Sequence, residues 1–147
     1  MPEKRRPFSV TLLLGMVLLL TAWGATRFAA ALRWQDVLTE FDSSLSVLYL
    51  LATGAGWAAA GGVLVFGILR RKRWAAAGTV TAILLWLVEY WVERLFFETS
   101  RANLPFALTV SALLIALAGT LTNLPRTQSY FAKSEAHEQP VEKSNSA

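Results

Sequence analysis

The sequence predicts an all-α polytopic membrane protein, built as an antiparallel bundle of four transmembrane helices. Two observations support this prediction. Hydrophobic residues make up 54% of the 147-residue chain and charged residues only 16%, whereas soluble domains carry about 25% charged residues. The charges also fall in short blocks between apolar runs that are long enough to cross the hydrocarbon core of a bilayer. A chain of this length accommodates one such domain.

The first apolar run, 8–28, follows a basic segment at 1–7. It contains no charged residue before Arg27, and its length matches the roughly 20 residues that a transmembrane helix requires. The alternative is a cleaved signal peptide that uses the basic segment as its n-region. The run is longer than the usual apolar stretch of about 7–15 residues in a signal peptide. This favours a retained span, while both interpretations stay open.

A short surface helix is predicted after the first span. Trp34, Val37, Leu38 and Phe41 recur at helical spacing, with acidic residues between them. This pattern is typical of an amphipathic helix that lies in the membrane interface. An irregular loop is the alternative.

Three further apolar runs complete the bundle. The predicted spans are 45–69, 74–97 and 104–124. Pro125 then ends the last helix because proline cannot continue the hydrogen-bond ladder. The segment 125–147 is rich in polar residues and is predicted to be a disordered tail, since it cannot bury enough apolar surface to offset its ordering entropy.

The second span is rich in small residues. Such residues allow two helix backbones to approach closely in lipid. We expect this face to pack against another helix of the same chain, or against a second copy. The residues concerned are Gly54, Ala58, Gly61 and Gly62.

Basic residues flank the spans unevenly. They are concentrated before the first span and between the second and third, at Lys4, Arg5, Arg6, Arg70, Arg71, Lys72 and Arg73. Because basic loops stay on the cytoplasmic side, we expect both termini to be cytoplasmic. The compact loops favour a plasma (inner) membrane. These residues flank apolar helices, which favours contact with lipid headgroups over binding to nucleic acid.

A cluster of ionisable residues lies within the predicted membrane region. Glu89 and Glu93 are four residues apart and therefore share one face of the third span. At 1.5 Å per residue they lie roughly 12 and 6 Å below its outer end. Charges at this depth are costly and normally pair or serve a function. Arg27 lies at a matching depth on the first span and is the preferred partner of Glu93, whereas Arg94 is on the same helix.

Other chemistry has little support in the sequence. The chain contains no cysteine, and its single histidine, His137, lies in the polar tail. Disulfides and thiolate metal sites are therefore excluded, and haem ligation inside the bundle lacks its usual histidines. We expect no metal, no cofactor and no enzymatic activity.

Two functional hypotheses remain. The first is a small accessory or structural subunit, which contacts the lipid bilayer and either a membrane protein partner or further copies of itself. The alternative is a small oligomeric transporter or flippase that uses Glu89 and Glu93 as proton- or cation-binding groups. The first hypothesis treats the ionisable cluster as a structural ion pair, and the second treats it as a polar cavity that opens outward.

Overall fold

The computed structural model describes residues 6–40, 46–97 and 103–132. Four helices in these ranges are long and apolar enough to cross a membrane, which confirms the predicted fold class. The protein is therefore a small α-helical membrane protein. The described helices are α1 (Phe8–Arg33), α2 (Gln35–Glu40), α3 (Val47–Leu69), α4 (Trp74–Phe96), α5 (Leu104–Asn123) and α6 (Pro125–Ala132).

The helix boundaries differ in places from the predicted spans. α1 continues beyond residue 28 to Arg33, because the residues that follow are mostly alanine, the strongest helix former. α2 forms where the surface helix is predicted, but Phe41 lies outside the described residues. α3 begins after Ser46, whose hydroxyl oxygen accepts a hydrogen bond of 3.2 Å from the backbone nitrogen of Tyr49 and caps the helix.

α1 and α3 form a closely packed antiparallel pair. A Cβ atom built on Gly24 would lie 2.6 Å from the backbone nitrogen of Ala58, and one on Gly54 would lie 2.7 Å from that of Phe28. The contacts therefore run in opposite directions along the two helices. Since only glycine leaves room for backbones at this distance, these positions determine how closely α1 and α3 approach.

Three of the four predicted small residues lie in this contact. Gly54, Ala58 and Gly61 face α1, and a Cβ on Gly61 would collide with the side chain of Thr21. Gly62 is different, because it is exposed and, apart from the neighbouring backbone of its own helix, no described atom lies within 4 Å of its Cβ position. Gly62 therefore takes no part in the α1–α3 contact, and its packing against a second copy stays a prediction.

The turn between α3 and α4 reverses the chain through a Schellman motif. The backbone nitrogen of Lys72 donates to the carbonyl of Gly67 at 2.9 Å, and that of Arg71 donates to the carbonyl of Ile68 at 3.1 Å. Arg71 has a φ of 56°, in the left-handed region that usually selects glycine at this position. The side chain of Arg71 makes a cation–π contact, since its guanidinium carbon lies 4.8 Å from the centre of the Tyr130 ring.

The predicted disordered tail is wrong for the residues that directly follow α5. Residues 125–132 form α6 rather than a disordered segment, while 133–147 lie outside the described residues. Leu124 is extended at φ −62° and ψ 133°, as expected for a residue before proline, and Pro125 then begins α6. Thr127, Tyr130 and Phe131 are buried. They share one helical face, so this short helix buries enough apolar surface to dock.

α6 covers the end of the bundle that bears the α3–α4 turn. Tyr130 and Phe131 join an apolar core that includes Val10 and Ile68. The hydroxyl of Thr127 donates a hydrogen bond of 2.7 Å to the hydroxyl oxygen of Ser9, and both residues are buried. We call this the basic end, because Arg6, Arg70–Arg73 and Arg126 lie there.

Tyr130→Ala is expected to release α6 from the bundle. The substitution removes a buried aromatic ring from the core and its contact with Arg71, so tryptic cleavage after Arg126 in detergent should accelerate at least about tenfold. Gln128→Ala, at an exposed position of the same helix, should leave the rate unchanged. Mass spectrometry of the 1–126 fragment measures the rate of cleavage after Arg126. If Tyr130→Ala and the unmodified protein are cleaved at the same rate, α6 is not held by this contact.

Candidate functional site

The ionisable cluster connects α1 to α4. The guanidinium of Arg27 meets the carboxylate of Glu93 through two nitrogens: Nη1 donates to Oε2 at 3.1 Å and Nη2 donates to Oε1. Two parallel bonds of this kind are the strong, geometrically specific form of an arginine–carboxylate pair. The side chains are 12% and 20% exposed, so bulk water screens the pair only weakly.

Glu89 lies one helical turn further into the bundle and is held from two directions. Its Oε1 is 3.6 Å from Nη1 of Arg27, and its Oε2 accepts a hydrogen bond from the indole nitrogen of Trp57 on α3. Arg27 therefore lies between two carboxylates that are four residues apart. This reduces the repulsion that two like charges on one helix face would otherwise produce.

Aromatic residues of α3 enclose the cation. The guanidinium carbon of Arg27 lies 5.6 Å from the centre of the Tyr49 ring, within the range of a cation–π contact. The sequence-based hypothesis did not include Tyr49 or Trp57. They are eight residues apart. Residues that are separated by four, or by twice four, lie on one face of a helix, so both side chains are directed toward α1 and α4. This spacing is the signal that could have identified them.

Arg94 lies on another part of the α4 surface and makes different contacts. Its Nη1 donates a hydrogen bond of 2.7 Å to the hydroxyl oxygen of Tyr90, and its guanidinium carbon lies 5.8 Å from the centre of that ring. Both residues line a cavity between α4 and α5. The four candidates thus divide into two places, with Arg27, Glu89 and Glu93 in one and Arg94 in the other.

The carboxylates lie apart from the cavity between α4 and α5. The cavity between α4 and α5 has a volume of about 310 Å³, and neither Glu89 nor Glu93 is among its lining residues. In the described ranges, no three His, Cys, Asp or Glu side chains come together in a group that could hold a metal ion. The cluster around Arg27 is suited to joining helices, since its charged groups are directed at one another.

Two polar atoms inside the cluster lack a hydrogen bond. They are Oε1 of Glu89 and Nε of Arg27, both buried and without a hydrogen-bond partner among the described residues. Each belongs to a group that is otherwise paired, so the cost of burial falls on single atoms rather than on an isolated charge. Among the described residues, Oε1 of Glu89 is therefore the one carboxylate oxygen of this cluster that accepts no hydrogen bond.

The basic residues that the sequence singles out lie at the basic end, as far as the structure describes them. Arg70 places its guanidinium carbon 5.2 Å from the centre of the Phe66 ring, and Arg71 contacts Tyr130. Arg70 and Arg73 are exposed, whereas Arg71 and Lys72 are half-buried. Lys4 and Arg5 lie outside the described residues.

No protein-family model, curated protein or solved structure matches this chain.

Proposed function

We propose that this protein is a small accessory or structural subunit of a plasma membrane, without enzymatic activity. The observation that supports the proposal is the mutual pairing of the charges in the membrane region. Arg27 binds Glu93 through two nitrogens and contacts Glu89, which also accepts a hydrogen bond from Trp57. A group that transports a proton or cation must exchange partners, whereas these groups are held by donors from two other helices.

The ion cluster joins α1 to α4. α1 packs mainly against α3, so the pair between Arg27 and Glu93 is a direct polar connection between α1 and α4. Association of apolar helices in lipid has little hydrophobic driving force, and a bidentate ion pair sets both register and rotation. A buried pair adds little net stability by itself, but losing one partner is costly. The cluster therefore favours one arrangement of the helices over others.

The distribution of basic residues supports a cytoplasmic location for the basic end. Arg6, Arg70–Arg73 and Arg126 all lie there, together with the starts of α1 and α4. Cytoplasmic loops carry the excess of lysine and arginine in membrane proteins. In this orientation both termini are cytoplasmic and the ion cluster lies in the outer half of the membrane.

Glu89→Gln tests the proposal against transport. In proteoliposomes with a pH or potassium gradient, we expect the unmodified protein and Glu89→Gln to give the flux of protein-free liposomes. Purified from native membranes in mild detergent, both should retain the same partner, or the same number of copies, in a fixed ratio. Glu40→Gln, which removes an exposed carboxylate from α2, is the matched control for the change in charge. Flux in the unmodified protein that is lost in Glu89→Gln would overturn the proposal.

A small oligomeric transporter or flippase is the second candidate. The observation that favours it is Oε1 of Glu89, which is buried and accepts no hydrogen bond among the described residues. Intramembrane acids with spare hydrogen-bonding capacity occur in proton pathways. The same flux measurement separates the two candidates, because only the transporter moves protons or cations across the membrane.

A further inference from the structure

A cleft lies between α1, α4 and α5, apart from the ion cluster. Its first part, which we call the mouth, has a volume of about 310 Å³ between α4 and α5. Its second part, the floor, has a volume of about 340 Å³ and includes residues of α1. Trp86 and Leu114 line both parts, so the mouth and the floor meet at these side chains.

The two parts of the cleft differ in chemistry. Arg94, Tyr90 and Asn103 bring polar groups to the mouth, close to the ends of α4 and α5. The floor is lined entirely by apolar side chains, including Met16 and Ile83. Arg94 and Ile83 are eleven residues apart on α4, which corresponds to about 16 Å along the helix. The cleft is therefore amphipathic along its length, with its cationic part where a membrane helix reaches the headgroup region.

We propose that this cleft binds a phospholipid with an anionic headgroup. The headgroup phosphate contacts Arg94 in the mouth, and an acyl chain extends past Trp86 and Leu114 into the floor. Charge complementarity supports the headgroup assignment, because arginine binds phosphate through directed hydrogen bonds. α5 also begins at the mouth, and the positive end of its dipole favours a negative charge there. The inference does not depend on the proposed subunit role.

The lining of the cleft favours a lipid over a soluble anion. A single acyl chain is thin and flexible enough to lie along the apolar floor. None of the residues that line the floor carries a charged group that could bind a soluble anion along its length.

Competition between two lipids in mixed micelles tests the proposal. The full chain is mixed with equal amounts of dioleoyl phosphatidylglycerol and dioleoyl phosphatidylcholine, and bound lipid is measured by native mass spectrometry. We expect the anionic lipid to be retained about fivefold more, as one arginine near an anionic headgroup predicts. Arg94→Gln should abolish this preference. Arg33→Gln, which removes an exposed arginine near the end of α1, should preserve it.

A second pair of variants tests the acyl-chain site without altering Arg94. Leu114→Trp fills the cleft where the mouth joins the floor and should reduce retention of both lipids at least about threefold, an effect worth roughly 0.6 kcal/mol. Leu113→Trp places the same ring on the exposed side of α5 and should have no effect. A preference that persists in Arg94→Gln, or equal retention in the two tryptophan variants, would overturn the proposal. So would displacement of the lipid by inorganic phosphate or by a bound transmembrane partner.

Discussion

Arg27→Met is expected to lower the free energy of unfolding of the detergent-solubilised protein by about 3 kcal/mol. The substitution keeps most of the side-chain volume but removes the cation that lies between Glu89 and Glu93. Two poorly exposed carboxylates on one face of α4 then repel each other without compensation. Equilibrium unfolding in mixed micelles with increasing denaturing detergent measures the change, with helical circular dichroism as the signal.

Two further variants show whether this loss comes from unpaired charge. Arg33→Gln removes an exposed cation near the end of the same helix and should change stability by less than about 0.5 kcal/mol. Arg27→Met combined with Glu93→Met should recover at least half of the loss, because the double substitution removes one of the two stranded carboxylates and ends their repulsion, while Glu89 keeps its hydrogen bond from Trp57. If the double variant is as unstable as the sum of its parts, the ion pair does not explain the effect.

Gly54→Ala is expected to destabilise the bundle by about 2–3 kcal/mol, as overpacking of a tight contact does. The added Cβ would lie 2.7 Å from the backbone nitrogen of Phe28. A backbone atom cannot rotate away as a side chain can, so α1 and α3 must separate along their length. Gly24→Ala should behave similarly, since its Cβ would lie 2.6 Å from the backbone nitrogen of Ala58. The same unfolding measurement in mixed micelles quantifies both.

Gly62→Ala is the matched control for these glycines. It lies on the same helix as Gly54, but no described atom beyond the neighbouring backbone of that helix is within 4 Å of its Cβ position. Its effect should stay within about 0.5 kcal/mol, or be slightly stabilising, because alanine is the better helix former. Equal destabilisation by Gly54→Ala and Gly62→Ala would mean that helix propensity, not the α1–α3 contact, accounts for the change.

The small-residue pattern predicted one side of the α1–α3 contact but not the other. Gly54, Ala58 and Gly61 are recognisable because several small residues occur close together on one span. Gly24 is the residue opposite them, but the residues four positions away from it are Leu20 and Phe28, so it forms no small-residue pattern at this spacing. Gly62 belongs to the same sequence pattern but to a different face. Composition shows that a helix can pack closely, while the rotation of the helix decides which residues do so.

The ionisable cluster was likewise predictable only in part from the sequence. The spacing of Glu89 and Glu93 places them on one face, and depth in the membrane relates Arg27 to Glu93. Arg94 is on the same helix as the acids, so the sequence favours Arg27 as the partner, and the structure pairs Arg27 with Glu93. The structure also shows that Arg94 contacts Tyr90 instead. The structure also brings Trp57 and Tyr49 of α3 into the cluster. The spacing of the two acids on α4 gives no indication of these residues.

Length, hydropathy and the positions of the charged blocks determined the number of spanning helices. They also gave all but one of the boundaries to within two residues, because the cost of exposing polar backbone and charge to lipid acts on each segment separately. Only the tertiary structure decided which faces meet. The rotation of each helix depends on backbone contacts such as Gly24 with Ala58, and on pairs such as Arg27 with Glu93, whose partners come from distant parts of the chain. The docking of α6 has the same origin: Thr127, Tyr130 and Phe131 lie in a segment too polar to fold alone, and they become ordered because the basic end of the bundle offers them an apolar surface.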